Sequence, residues 1–171
     1  MKKTIVLLLS LVLTHAFAKV PSVGDSAYLF SLKDETGATI NLADFKGDKY
    51  VVLIFYPGDE TPVCTQQLCE IRDEYAAFTN SNAAVFGVNP ASDKSHKKFS
   101  DKHKFQFPLL IDQDAAVAKA YGVKGAVMNK RFVFVINPDG KIVFAKKGKP
   151  PVSEILQSIN NPSDTLKEIQ R

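Results

Sequence analysis

Tyr50-Val-Val-Leu-Ile-Phe55 is an unbroken apolar run, rich in β-branched side chains, that ends abruptly at Tyr56-Pro57-Gly58. A strand without polar alternation has to be covered on both faces, so this chain must place helices or loops on two sides of a sheet. Leu68, Ile71, Tyr75 and Phe78 then recur at spacings of three and four, which predicts a helix over Pro62 to Asn80. Ala83 to Val88 repeats the buried-strand pattern and completes a βαβ unit. Upstream, Tyr28 to Leu32 and Thr39 to Leu42 read as short strands around the turn Asp34-Glu35-Thr36-Gly37.

Downstream, Ser92 to Lys104 reads as a second helix, Pro108 to Ile111 as a short strand and Asp114 to Tyr121 as a small helix. Phe132 to Ile136 and Lys141 to Ala145 flank Asn137-Pro138-Asp139-Gly140, a strong hairpin turn. Pro150-Pro151 opens a last helix that carries Val152, Ile155, Leu156 and Ile159 on one side, and Asn160-Asn161-Pro162 stops it. This order predicts an α/β fold with a mixed central sheet flanked by helices. A βαβ unit feeding an antiparallel hairpin and a closing helix resembles the thioredoxin-like plan with insertions. We expect one such domain over residues 19–160 and a loosely held tail over 161–171.

The first eighteen residues read as an address. Met1-Lys2-Lys3 is a positive start, Ile5 to Leu13 is an apolar run broken only by Ser10, and Ala16-Phe17-Ala18 has the small-x-small form of a cleavage site. That run is well short of the roughly 20 residues a membrane span requires, so the reading is a signal peptide and not an anchor. It predicts an exported protein, of bacterial style and therefore periplasmic, with no membrane attachment after cleavage. Cleavage removes two lysines, taking 22 basic residues against 18 acidic to 20 against 18. So small an excess gives no reason to expect a nucleic-acid partner. The lysine-rich stretch from Lys94 to Lys104 reads as the wet side of its helix, with His96 and His103 solvated.

The chemistry concentrates around Cys64. It falls in the first turn of the helix that follows the buried strand, where unpaired backbone N–H groups and the positive end of the helix dipole stabilise an anion. The thiolate is the reactive form of cysteine. Ionisation alone is not enough: a thiol of pKa about 8.5 is already roughly 3% ionised at pH 7, so full ionisation gains at most ~30-fold, about 2 kcal/mol. Enzymes supply ~8 kcal/mol or more. Groups that stabilise charge forming in the transition state must provide the rest. Thr61, three residues before Cys64, is placed to aim its hydroxyl there, and a cation from elsewhere in the chain is required.

Pro57-x-x-x-Thr61-x-x-Cys64 resembles the active-site motif of the peroxiredoxins, and Cys69 with Glu70-Ile71-Arg72-Asp73 resembles the bacterioferritin-comigratory, or Q-type, branch. The resemblance runs from Val23-Gly24-Asp25 through the hairpin after Arg131. It implies a thiol-dependent peroxidase that reduces hydrogen peroxide and organic hydroperoxides without cofactor or metal. Cys64 would be its peroxidatic cysteine, Cys69 the resolving cysteine of an intramolecular disulfide, Thr61 a hydrogen-bonding partner, Pro57 a shield against solvent and Arg131 the active-site arginine. A thioredoxin-like dithiol would be the reductant, and the branch is often monomeric. Two positions depart from the family pattern: Val133 stands where Ser or Thr is usual, and Asn137 where Asp is usual. Arg72 is expected to brace the scaffold through a carboxylate, with Phe55 and Tyr56 as core or pocket wall.

On a regular helix, residues five apart have Cα atoms roughly 8–9 Å apart, beyond the ~7 Å a disulfide tolerates. Closing a Cys64–Cys69 bond therefore requires the helix to unwind locally. A permanent structural disulfide here would close only a short loop and interrupt a good helix. Two other readings stay open at this point. A thioredoxin-type disulfide oxidoreductase needs Cys-x-x-Cys, whereas this chain has four residues between its cysteines. A copper-binding thioredoxin-fold chaperone would use a closer cysteine pair and a distant histidine. The chain holds no Trp, which argues against the Cys-Gln-Trp site of glutathione peroxidases.

Overall fold

The computed structural model describes residues 19–162; the expected signal peptide and residues 163–171 of the tail lie outside them. The elements run β1 (Ser31–Lys33), β2 (Thr39–Asn41), a 3-10 turn (Leu42–Phe45), β3 (Tyr50–Phe55), α1 (Pro62–Asp73), α2 (Tyr75–Asn80), β4 (Ala83–Asn89), α3 (Asp93–His103) and β5 (Leu109–Ile111). They continue with α4 (Ala116–Ala120), β6 (Phe132–Ile136), β7 (Ile142–Lys147) and α5 (Val152–Asn160). The main sheet has the order β5-β4-β3-β6-β7, and β1-β2 form a separate hairpin. β3 pairs parallel with β4, as β4 does with β5, while β6 pairs antiparallel with both β3 and β7.

The buried run of β3 sits at the centre of this sheet and splits its side chains between two cores. Val52, Ile54 and Tyr56 join Leu68, Ile71, Phe78, Phe99 and Ile155 on the face covered by α1, α2, α3 and α5. Val51, Leu53 and Phe55 join Phe86, Val88, Val117, Tyr121 and Phe134 on the opposite face. The strict alternation explains why the buried positions Val51 to Phe55 are all apolar. Gly87 in β4 is required by close approach, since a Cβ there would lie 2.7 Å from the Leu109 side chain and 3.1 Å from the Tyr56 ring.

The single helix expected over Pro62 to Asn80 is in fact two. It breaks at Glu74 (φ −103°, ψ 13°), whose N–H is shared between the carbonyls of Arg72 and Glu70. A continuous helix of that length would run ~28 Å against a six-residue strand of ~20 Å. The break shortens the connection and keeps Phe78 in the core.

The α3 expectation also needs correction. Ser92 caps the helix, its Oγ accepting from the Ser95 N–H, and the lysines face water. His96 is not solvated: it is fully buried, with the Tyr56 ring 6.5 Å away. Val133 and Asn137, the two departures from the family pattern, are respectively a core residue of β6 and a turn residue whose Oδ1 accepts from the Lys141 N–H.

Candidate active site

The register of the sheet brings together two residues far apart in sequence. Phe55, the last residue of β3, lies opposite Phe132, the first of β6. Arg131, immediately before β6, is therefore delivered to the strand's exit, where the chain turns into α1. The preceding loop is tightly folded: Gly125 N–H donates to the Met128 carbonyl at 3.0 Å, and a Cβ on Gly125 would lie 2.3 Å from that oxygen. Lys130 N–H then donates to the Val123 carbonyl at 2.7 Å, which fixes the approach to Arg131.

Cys64 is the third residue of α1, and both cysteines are free. Pro62 occupies the first position, where its missing N–H costs nothing. The first intrahelical bond runs from Thr65 N–H to the Thr61 carbonyl, which leaves the N–H groups of Val63 and Cys64 without a helical acceptor. The Cys64 sulfur is fully buried, yet it is not isolated in hydrocarbon. Arg131 Nη2 donates to it at 3.0 Å, and Nη1 donates to Gln67 Oε1 at 2.6 Å. A permanent cation thus rests on the sulfur at the positive end of a helix, and Gln67 holds the guanidinium in place. Gln67 escaped the sequence reading, although its position three residues after Cys64 puts it on the same helix face.

Thr61 does not aim its hydroxyl at the sulfur. Its Oγ1 donates to the Gly58 carbonyl at 3.3 Å and closes the loop on itself. Pro57 is half-buried at the end of β3. Arg72 meets the Asp73 carboxylate and also donates to the His103 carbonyl at 2.7 Å, tying α1 to α3. Cys69 is half-buried five residues beyond Cys64, with the helix intact between them.

The loop from Pro57 to Thr61 is anchored by Asp59, which the sequence reading passed over. Its carboxylate accepts from Tyr56 Oη at 2.9 Å, Asn89 Nδ2 at 2.9 Å and Ser95 Oγ at 2.6 Å, and pairs with His96 Nδ1 at 3.0 Å. One side chain thereby joins the ends of β3 and β4 to the first turn of α3. Burial pushes the Asp59 pKa up, but the hydrogen bonds from His96 and Ser95, the charge of His96 and the Asn89 bond outweigh it and hold the carboxyl below its ordinary range. Burial, and then the neighbouring Asp59 charge, push the Tyr56 hydroxyl well above its usual value. Glu60, next in the loop, takes a left-handed φ of 59°, a conformation that a non-glycine residue holds only when its surroundings enforce it.

The chain matches the AhpC/TSA family over residues 23–145. It belongs to that family, as a peroxiredoxin. Peroxiredoxin Bcp of Bacillus subtilis is 37% identical over 153 residues, covering 83% of this chain and 97% of the relative. A chloroplastic peroxiredoxin Q of Sedum lineare is 41% identical over 129 residues, covering 74% and 68%. Among solved structures, a cysteine-to-serine mutant of PrxQ from Xylella fastidiosa superposes with a TM-score of 0.76 at 30% identity, covering 81% of this chain and 95% of that one. The peroxidoxin BcpB of Mycobacterium tuberculosis gives 0.72 at 31% identity, covering 86% and 97%. This peroxiredoxin is accordingly a peroxidase of the oxidoreductase class with a thioredoxin-like fold. Nothing in the comparisons favours the disulfide oxidoreductase or the copper chaperone.

Proposed function

We propose that this peroxiredoxin reduces hydrogen peroxide and organic hydroperoxides through Cys64, with Cys69 as the resolving thiol and a thioredoxin-like dithiol protein as reductant. The observation that carries the reading is the Arg131 guanidinium on the Cys64 sulfur at the start of α1. The thiolate attacks the terminal peroxide oxygen, the O–O bond breaks, and alkoxide or hydroxide leaves to take up a proton. Cys64 is left as a sulfenic acid. Arg131 and the free N–H groups of Val63 and Cys64 stand where the negative charge shifts from sulfur to oxygen. Cys69 then displaces the sulfenic oxygen as water, forming the disulfide that the external dithiol reopens by exchange. The leader over residues 1–18 extends the proposal to an exported, periplasmic enzyme.

Disulfide closure requires α1 to open, which breaks the Arg131–Gln67 bond, exposes Leu68 and frees Glu70 from Lys149. One equivalent of hydrogen peroxide is expected to give a Cys64–Cys69 bond within one chain, found by non-reducing peptide mapping. Amide exchange over residues 64–69 should rise on oxidation. In Cys69→Ser the reaction should stop at one sulfenic acid per chain, captured by a dimedone-type probe. A cross-link between two chains, or a Cys69→Ser protein that keeps turning over with the dithiol alone, would overturn the assignment of Cys69.

Arg131→Met is expected to slow Cys64 oxidation by roughly 10- to 100-fold, the value of a hydrogen bond to a charged group at about 1.5–3 kcal/mol. Stopped-flow oxidation at several peroxide concentrations measures it. An unchanged second-order rate would show that the guanidinium merely packs against the sulfur.

A further inference from the structure

Resolution needs Cys69 as a thiolate, and no base of the site described so far faces that sulfur. One side chain outside it does. His103, the last residue of α3, brings Nδ1 to 3.7 Å from Cys69 Sγ, within reach of a sulfur hydrogen bond. This imidazole, expected in solvent, is largely enclosed, with its side chain 18% exposed. Phe99 meets the ring edge-on at 5.1 Å and Phe105 stacks on it at 5.7 Å, while the His103 carbonyl is held by Arg72. The ring therefore has little freedom to turn away from the sulfur. Its other nitrogen, Nε2, is buried and has no hydrogen-bond partner among the described residues. The charged groups around it are the Glu60 carboxylate, 3.9 Å from Nε2 and paired with Lys102, and Arg72 on the α1 side.

We infer that His103 is the general base of the resolving step, taking the Cys69 proton on Nδ1 before α1 opens. This rests on the reading of Cys69 as the resolving thiol. With Nε2 carrying the ring proton, Nδ1 presents a lone pair to the S–H. The proton passes to Nδ1, and the thiolate attacks the sulfenic sulfur of Cys64. The S–S bond forms as the S–O bond breaks, and the departing hydroxide takes up a proton equivalent to the one removed. Thiol and sulfenic acid thus become disulfide and water. Cys69 is oxidised and the sulfenic sulfur reduced, so no further oxidant enters.

The size of the effect is bounded. A free thiol is roughly 3% ionised at pH 7, so a base that ionises it completely accelerates closure by at most ~30-fold. The test is a single turnover with hydrogen peroxide, in which Cys64 oxidation and disulfide closure are followed as separate phases. His103→Phe keeps the aromatic packing and removes both nitrogens; His103→Gln serves as a second variant with a different effect on packing. In each, the rate of Cys64 oxidation should be unchanged, while closure at pH 7 slows by roughly 10- to 30-fold. The deficit should shrink as the pH rises and hydroxide takes over the deprotonation, and added imidazole should restore part of the rate. A purely structural role would give a deficit independent of pH and of imidazole. Closure at the wild-type rate in both variants, or a deficit that neither pH nor imidazole changes, would overturn the inference. Should the wild-type protein form no Cys64–Cys69 bond, the reading of Cys69 fails instead, and peptide mapping separates the two outcomes.

Discussion

In Cys64→Ser, peroxide consumption should fall to the rate of the buffer alone. The substitution is nearly isosteric at a fully buried position, so the helix and the core around Leu68 and Val133 should stay intact. Arg131 keeps the Gln67 oxygen as one acceptor and gains the serine oxygen as the other. What disappears is the proposed nucleophile. A hydroxyl needs an adjacent base to attack, and the side chain observed on this sulfur is a guanidinium, which cannot accept a proton. A cation set on this atom thus gives a serine nothing. Enzymes typically exceed the uncatalysed reaction by ~10⁶-fold or more, and the whole of that advantage should go. Stopped-flow peroxide loss, with circular dichroism to show an unchanged fold, makes the measurement. Retention of even a tenth of the wild-type rate would mean that the chemistry lies elsewhere.

What the sequence made legible followed from local rules, and what it hid was tertiary. Tyr50 to Phe55 announced a central strand because every position from Val51 to Phe55 is buried on one face or the other. Cys64 was visible for the same reason: strand, turn and helix start are contiguous in the chain. Arg131 came through the family motif, and the physical reason it serves is the pairing of Phe55 with Phe132, a contact that no window of sequence contains.

The lysine-rich helix misled. Charge density suggested a wet surface, yet His96, Phe99, Ser100 and His103 follow the spacing of three, four and seven that marks an inner stripe. Reading the stripe from Phe99 outward would have placed both histidines inward. Their partners, Asp59 and Cys69, lie more than thirty residues away and could not have been named. The break at Glu74 was hidden because the apolar spacing continues across it, and strand length, not helix propensity, decides where the helix must stop.

The second large effect is expected at Asp59, where the active-site loop is tied down. Asp59→Asn keeps the volume and removes the charge, so His96 loses its carboxylate inside the protein, and the amide cannot match all four contacts. A hydrogen bond to a charged group contributes about 1.5–3 kcal/mol, and the amide forfeits at least one of them. The pH dependence gives the claim its sign. The folded Asp59 pKa lies below the unfolded value of about 3.9, so its contribution is fully present above pH ~4 and is lost as the pH falls through the folded pKa. Urea unfolding at pH 7 should therefore separate wild type from Asp59→Asn widely, and the gap should close in acid, where wild type carries a neutral carboxyl too. Tyr56 works in the opposite direction. Its folded pKa is raised, so its share persists through neutrality and is lost only as the pH climbs above ~10 toward the folded value. A gap between the two proteins that stays constant from pH 7 into acid would show that Asp59 acts through its shape and not its charge, and the loop would then owe its position to the strained Glu60 backbone and the Thr61–Gly58 bond alone.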